Sequence, residues 1–200
     1  DNLLGSGPFK VTEWVPNDHY TLVRNDNYWG EMPIATSITC RVIPEGSART
    51  IALEAGEIDV VWSVDPTDCA NVESNPDVKL LSQPSTGIDY VGMNTQKEKF
   101  SDKRVRQAIN YALDKQAFVD TIIEGRGLVA NSYINAAIPG WTDEVEAYPY
   151  DPEKAKELLA EAGYPDGFEC TIFVNGDLRT RSAQILQAQL ADVGIKVDIS

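Results

Sequence analysis

The sequence predicts a mixed α/β fold, and three observations carry that expectation. Before residue 100, short runs rich in β-branched and aromatic residues alternate with turn signals. From residue 101 the apolar residues switch to helical spacing, with Asp or Asp-Pro at the starts and Gly at the stops. Finally, a helix closed by Gly194 runs into the alternating Ile195, Val197 and Ile199, a strand pattern.

Taken in order, Phe9, Val11 and Trp14 follow a Gly-Ser-Gly-Pro opening and read as a first strand. Pro16-Asn17-Asp18 is a turn signal, and Tyr20-Thr21-Leu22-Val23 a second strand. Tyr28-Trp29-Gly30 reads as an aromatic corner that seals a turn and packs on a core. Residues 38–43 form a third strand, closed by Pro44. Ser47 is the expected N-cap of a helix whose Ala48, Ile51, Ala52 and Ala55 share a face, with Gly56 as its stop. Residues 58–62 read as an apolar strand, and Asp65-Pro66 opens a short helix with Asp as cap and Pro first. Residues 78–81 and 88–93 read as two further strands.

Asp102 then caps a helix that buries Val105, Ala108, Ile109 and Ala112, and Asp114 caps another with Phe118, Ile122 and Ile123. Residues 126–150 carry Gly, Asn and Pro punctuation together with Tyr133, Trp141, Tyr148 and Tyr150. They read as a long loop, of the kind that is functional or packed against something. Asp151-Pro152 through Gly163 is the clearest helix: Asp caps it, Pro starts it, Gly stops it. Residues 168–174 form a strand, and residues 183–193 a helix with Ile185, Leu186 and Leu190 inward. The chain stops in mid-strand, which leads us to expect a piece of a longer protein.

The 200 residues carry 17 Lys+Arg against 31 Asp+Glu, a net charge of −14. The acidity is spread, at net −8 over residues 1–86 and −6 over 87–200. Such a chain repels phosphate backbones and anionic membrane surfaces, so nucleic-acid binding is not expected. No apolar run approaches the roughly 20 residues of a membrane span. Asp1-Asn2 does not open a secretory leader. Four Trp and eight Tyr supply large core groups, which argues against disorder.

The search for chemistry finds no constellation. Cys40, Cys69 and Cys170 are far apart and form no CxxC, and His19 is the single histidine, so the spacing of a metal site is absent. Gly5-Ser6-Gly7 precedes a Pro and a strand, not a helix, so it is no phosphate loop. Asp65 and Asp68 read as helix cap and first-turn acid, Glu153 and Glu157 as an exposed helix face with Lys154 and Lys156. Asp59 and Asp89 interrupt apolar runs, where a structural role outweighs a catalytic one. No catalytic residue, metal ligand or cofactor is therefore expected. For Trp62, which ends an expected strand, and Tyr90, which sits on one just before Asn94, core packing and ligand contact are close to evenly balanced.

Several stretches in order resemble the extracytoplasmic solute-binding proteins of the peptide/nickel family, which feed ABC importers. They are Gly5-Ser6-Gly7-Pro8-Phe9 with Trp14, Asn25-Asp26-Asn27-Tyr28-Trp29-Gly30, Ala52-Leu53-Glu54-Ala55-Gly56-Glu57-Ile58-Asp59 and Gly92-Met93-Asn94-Thr95-Gln96. The series continues with Asp102-Lys103-Arg104-Val105-Arg106-Gln107-Ala108-Ile109-Asn110-Tyr111-Ala112-Leu113-Asp114-Lys115 and with Tyr148-Pro149-Tyr150-Asp151-Pro152 through Gly163. The resemblance implies a periplasmic-binding-protein-like fold: two lobes of mixed sheets flanked by helices, here truncated, closing on a ligand by hinge motion. Residues 1–86 would be part of the first lobe, 87–94 an inter-lobe crossing strand, and 95–200 the first part of the second lobe.

The neighbouring motifs place Trp62, Ser63 and Val64, and Ile88, Asp89 and Tyr90, on the implied cleft wall. Their contribution would be apolar and aromatic surface, with backbone groups free to pair with an extended peptide. The implied function is capture of oligopeptides or dipeptides outside the cytoplasmic membrane. The implied partners are ABC permease subunits, and the protein would be a monomer that is membrane-anchored at full length. Another solute, such as an oligosaccharide or a metal complex, is the alternative within the class. A surface-anchored interaction protein without transport is the alternative outside it, and the missing constellation argues against a hydrolase. The isolated 200 residues are expected to bind peptide poorly, because part of the cleft would be absent.

Overall fold

The computed structural model describes residues 5–200, so the reading of Asp1-Asn2 lies outside the described residues. The chain divides into two units between Leu80 and Leu81.

The first unit is built on a three-stranded antiparallel sheet of β1 (Phe9–Val15), β2 (His19–Arg24) and β3 (Ser37–Arg41), in the order β1-β2-β3. Asn17, with φ 63°, turns the chain from β1 to β2, a backbone conformation that Asn tolerates better than most residues. Cross-strand partners share a face. Val11 thus stands with Leu22 and Ile38, and Trp14 with Tyr20 and Cys40. Side chains alternate along a strand, so residues 11 and 14 would ordinarily point to opposite faces. An irregularity between Val11 and Glu13 shifts the register by one and returns Trp14 to the apolar side. The opposite face carries His19, Thr21, Thr39 and Arg41.

Helix α1 (Gly46–Glu54), a 3₁₀ turn at Pro66–Asp68 and helix α2 (Cys69–Ser74) complete the first unit. The Asp65 carboxylate accepts from Thr67 N at 3.1 Å, as its capping role requires. Gly56, with φ 72°, follows the end of α1, the left-handed stop that favours glycine. Three expectations need correction here. Helix α1 begins at Gly46 with Glu45 preceding it, so Ser47 lies inside the first turn and its hydroxyl faces Asp68 at 3.5 Å instead of capping. The buried side of α1 carries Thr50 and Ala52, whereas Ile51 is exposed. Trp29 is 82% exposed; it stacks on Tyr28 at 5.3 Å rather than on a core.

The second unit holds the larger core. Helices α3 (Glu98–Ser101), α4 (Lys103–Tyr111), α5 (Lys115–Ile122), α6 (Pro152–Glu161) and α7 (Asp177–Ala191) accompany β4 (Phe168–Ile172) and β5 (Ile195–Ile199). The Asp102, Asp114 and Asp151 carboxylates cap α4, α5 and α6 by accepting from Arg104 N, Ala117 N and Lys154 N. Helix α4 packs on α6, and α7 packs on β5, which pairs in parallel with β4. Val105, Ala108, Ala155, Leu159, Leu190 and Ile195 are buried in one cluster. Each large side chain there contributes about 1.5–3 kcal/mol by leaving water. Arg104 donates to Glu161 O at 2.7 Å, and Asp151 N to Tyr111 O at 2.8 Å, so polar bonds tie both ends of α6 to the α4 segment. Helix α7 starts at Asp177, six residues before the sequence places it, and β4 ends at Ile172.

Among the described residues no strand lies between Arg41 and Phe168. The strands expected at residues 58–62, 78–81 and 88–93 are therefore not formed, and the segment 87–94, expected to cross between lobes, runs without a ladder. A strand is defined by its neighbour: the apolar runs are present, but no second strand among the described residues lies against them to form a ladder.

Candidate functional site

The segment after Leu81 meets the long loop 126–150 within the second unit. Ser85 Oγ accepts from Gly87 N at 2.8 Å and shapes the turn before Ile88. Asn135 donates its side-chain amide to Gly87 O at 3.2 Å, across 48 positions of sequence. That bond brings Tyr133 to Tyr90. Their ring centroids lie 5.5 Å apart at 49°, inside the range in which aromatic pairs attract. The neighbouring Tyr90 hydroxyl holds the Tyr133 phenol above its usual pKa.

Thr86, Ile88, Tyr90 and Tyr133 line a cavity of about 200 Å³. Ile88 is half-buried, while Tyr90 and Tyr133 are 68% and 78% exposed. The lining carries no charge. The nearby Asp89 is engaged by Arg179, 3.4 Å away, and Arg179 is steadied by Asn175 at 2.9 Å. This pair is exposed, so it fixes position more than it adds stability.

Of the site residues expected from sequence, Ile88, Asp89 and Tyr90 come together here, Ile88 and Tyr90 in the lining and Asp89 beside it in the chain. Trp62, Ser63 and Val64 belong to the first unit. Trp62 is 90% exposed, so among the described residues the core-packing alternative for it is removed. Ser63 takes φ 65°, and its carbonyl accepts from the Arg49 guanidinium at 3.2 Å. The same guanidinium donates to Ile43 O and Pro44 O at 2.9 and 3.0 Å, tying three loop carbonyls to α1. Val64 is half-buried.

Sequence reasoning missed Tyr133, Thr86 and the positioning pair Asn135 and Arg179. The length and aromatic content of the 126–150 loop was the available signal for Tyr133. Thr86 carries none.

A second hollow of about 340 Å³ is lined by Met93, Lys103, Arg106, Gln107, Asn110 and Tyr148. Arg106 donates to Phe100 O and Ser101 O at 2.7 and 2.8 Å, so this cation closes the end of α3. The tight Asp18–His19–Glu13 arrangement lies on the β1–β2 hairpin, with His19 Nδ1 2.5 Å from Asp18 and Nε2 3.3 Å from Glu13. Among the described residues no three His, Cys, Asp or Glu side chains gather where a metal could sit. No described helix is long and apolar enough to cross a membrane.

Comparison with known proteins gives these features a setting. The family model for bacterial extracellular solute-binding proteins, family 5 middle, matches residues 1–200. Heme-binding protein A of Haemophilus influenzae is 35% identical over 202 residues, covering 98% of this chain and 37% of that protein. The dipeptide-binding protein of Escherichia coli is 32% identical over 205 residues, covering 99% and 38%. The periplasmic binding protein DppA of Helicobacter pylori, associated with an ABC transporter and solved in complex with the peptide STSA, superposes with a TM-score of 0.88. It is 33% identical over 98% of this chain and 38% of its own. The chain thus spans less than two-fifths of the length of these relatives.

Proposed function

The chain belongs to the bacterial extracellular solute-binding proteins of family 5, and from that premise we propose that the intact protein captures oligopeptides or dipeptides for an ABC importer. Capture takes place outside the cytoplasmic membrane, and the loaded protein delivers to permease subunits. The observation that carries this reading is the family match over the whole chain, joined to relatives named for dipeptide binding and for a bound peptide. The protein binds rather than transforms its cargo. It works as a monomer, held at the membrane by an anchor of the intact chain.

Residues 1–86 serve as part of one lobe, 87–94 as the crossing between lobes, and 95–200 as the start of the second. Trp62, Ser63 and Val64 and Ile88, Asp89 and Tyr90 contribute to the ligand wall. Two features support this: the exposure of the Trp62 and Tyr90 rings, and the lack of a strand ladder on either segment among the described residues, which suits an extended peptide. Ligand binds preferentially to the closed arrangement of lobes and shifts the population toward it.

Mass spectrometry of the ligand carried by the purified intact protein tests the reading. Peptides are the expected finding. Recovery of another solute class, with no calorimetric response to dipeptides, overturns it. A metal-complex cargo is the second reading, favoured by the 35% identity to heme-binding protein A. It would appear as a porphyrin absorbance band on titration with hemin.

A further inference from the structure

We propose that the Tyr90–Tyr133 cavity is a side-chain subsite: it takes one aromatic or branched aliphatic side chain of a peptide ligand, and Tyr133 decides the fit. The proposal rests on the peptide reading above and goes beyond it in assigning Tyr133 and the class of side chain.

Size is the first support. The cavity measures about 200 Å³, and an apolar cavity of about 150 Å³ suffices to hold a benzene ring. Chemistry is the second. The lining is neutral, with Ile88 and two phenol rings whose faces suit an aromatic or branched aliphatic group. Exposure is the third. Both rings keep most of their surface open, although the pair is already tilted and joined. Construction is the fourth. Asn135 holds the loop to Gly87, and Arg179 holds Asp89, so the walls come from segments more than 40 positions apart yet are bonded in place on both sides of Ile88. A preformed wall spends little ordering entropy on its ligand.

The test uses the intact protein as wild type, Tyr133→Ala and Tyr133→Phe, titrated calorimetrically with Ala-Phe, Ala-Leu and Ala-Gly. Tyr133→Ala should weaken Ala-Phe and Ala-Leu roughly tenfold, the scale of a lost aromatic contact, and change Ala-Gly by less than about twofold. Tyr133→Phe should keep the wild-type ranking, because the ring and not its hydroxyl makes the fit. Equal weakening of all three peptides, or none, overturns the subsite.

Saturation-transfer NMR with free p-cresol separates this outcome from failure of the peptide reading. If no dipeptide binds but p-cresol contacts wild type and not Tyr133→Ala, the peptide reading is what fails, and with it the assignment to a peptide side chain, while Tyr133 still forms a site for an aromatic ring. If p-cresol contacts neither protein, the subsite is overturned whatever the peptides do.

Discussion

At the scale of single residues, His19 and Arg49 show how much a polar side chain can organise in an acidic chain. The Asp18 carboxylate, then that of Glu13, raises the His19 pKa above its ordinary value of 6.5. A raised folded pKa means that the charged imidazole favours the fold. That contribution is complete below about pH 6.5 and is lost as pH rises through the folded value. NMR titration should place His19 above 6.5, and Asp18→Asn should lower it more than Glu13→Gln does. The reverse order would show that Glu13 is the dominant partner. Arg49 offers a second check, since its guanidinium bonds Ile43 O, Pro44 O and Ser63 O. Arg49→Met should cost about 2 kcal/mol in urea unfolding of the first unit, within the range for bonds to a charged donor. It should also release the Ser63 turn, seen as lost amide protection around residue 63.

At the scale of elements, helices were legible and lone strands were not. The three Asp-capped helices α4, α5 and α6 carry their start signals and apolar faces within a dozen residues, so local chemistry locates them. Residues 58–62, 78–81 and 88–93 have strand composition but no ladder, because pairing is set by a neighbour outside the segment. Packing makes sharper demands on β4 and β5. Gly167 has φ 75°, and a Cβ there would sit 1.9 Å from Gly194 O. Gly167→Ala should thus destabilise the second unit by more than the ~1 kcal/mol of an ordinary Gly position, and thermal melts of the purified variant read this directly. Leu159→Ala at the buried α4–α6 contact should cost about 2–5 kcal/mol, read by urea unfolding, and toward the lower end if the site collapses around the gap.

At the scale of the whole molecule, the two units differ in how they meet water. The second buries a continuous cluster from α4, α6, α7 and β5. The first leaves Val11, Trp14, Tyr20 and Ile38 exposed on one face of its sheet. Hydrogen exchange on the 200-residue chain should therefore show its slowest amides in α4, α6 and β5, and faster exchange in β1–β3. Slowest exchange in β1–β3 would contradict this. A peptide bound by the intact protein should raise its unfolding free energy by about 2.7 kcal/mol at a concentration a hundred times Kd, and a melting series with increasing dipeptide measures it.

The sequence by itself determined the mixed α/β class, the capped helices, the first three strands and the family, because these rest on local chemistry and on ordered motifs. It also placed Ile88, Asp89 and Tyr90 beside one another, as chain neighbours must be. Only the tertiary structure decided that Tyr133 joins Tyr90, since one hydrogen bond from Asn135 to Gly87 spans 48 positions that no periodicity connects. It decided as well that Trp62 stands in solvent rather than in the described core, because burial depends on what packs above a side chain and not on its hydrophobicity.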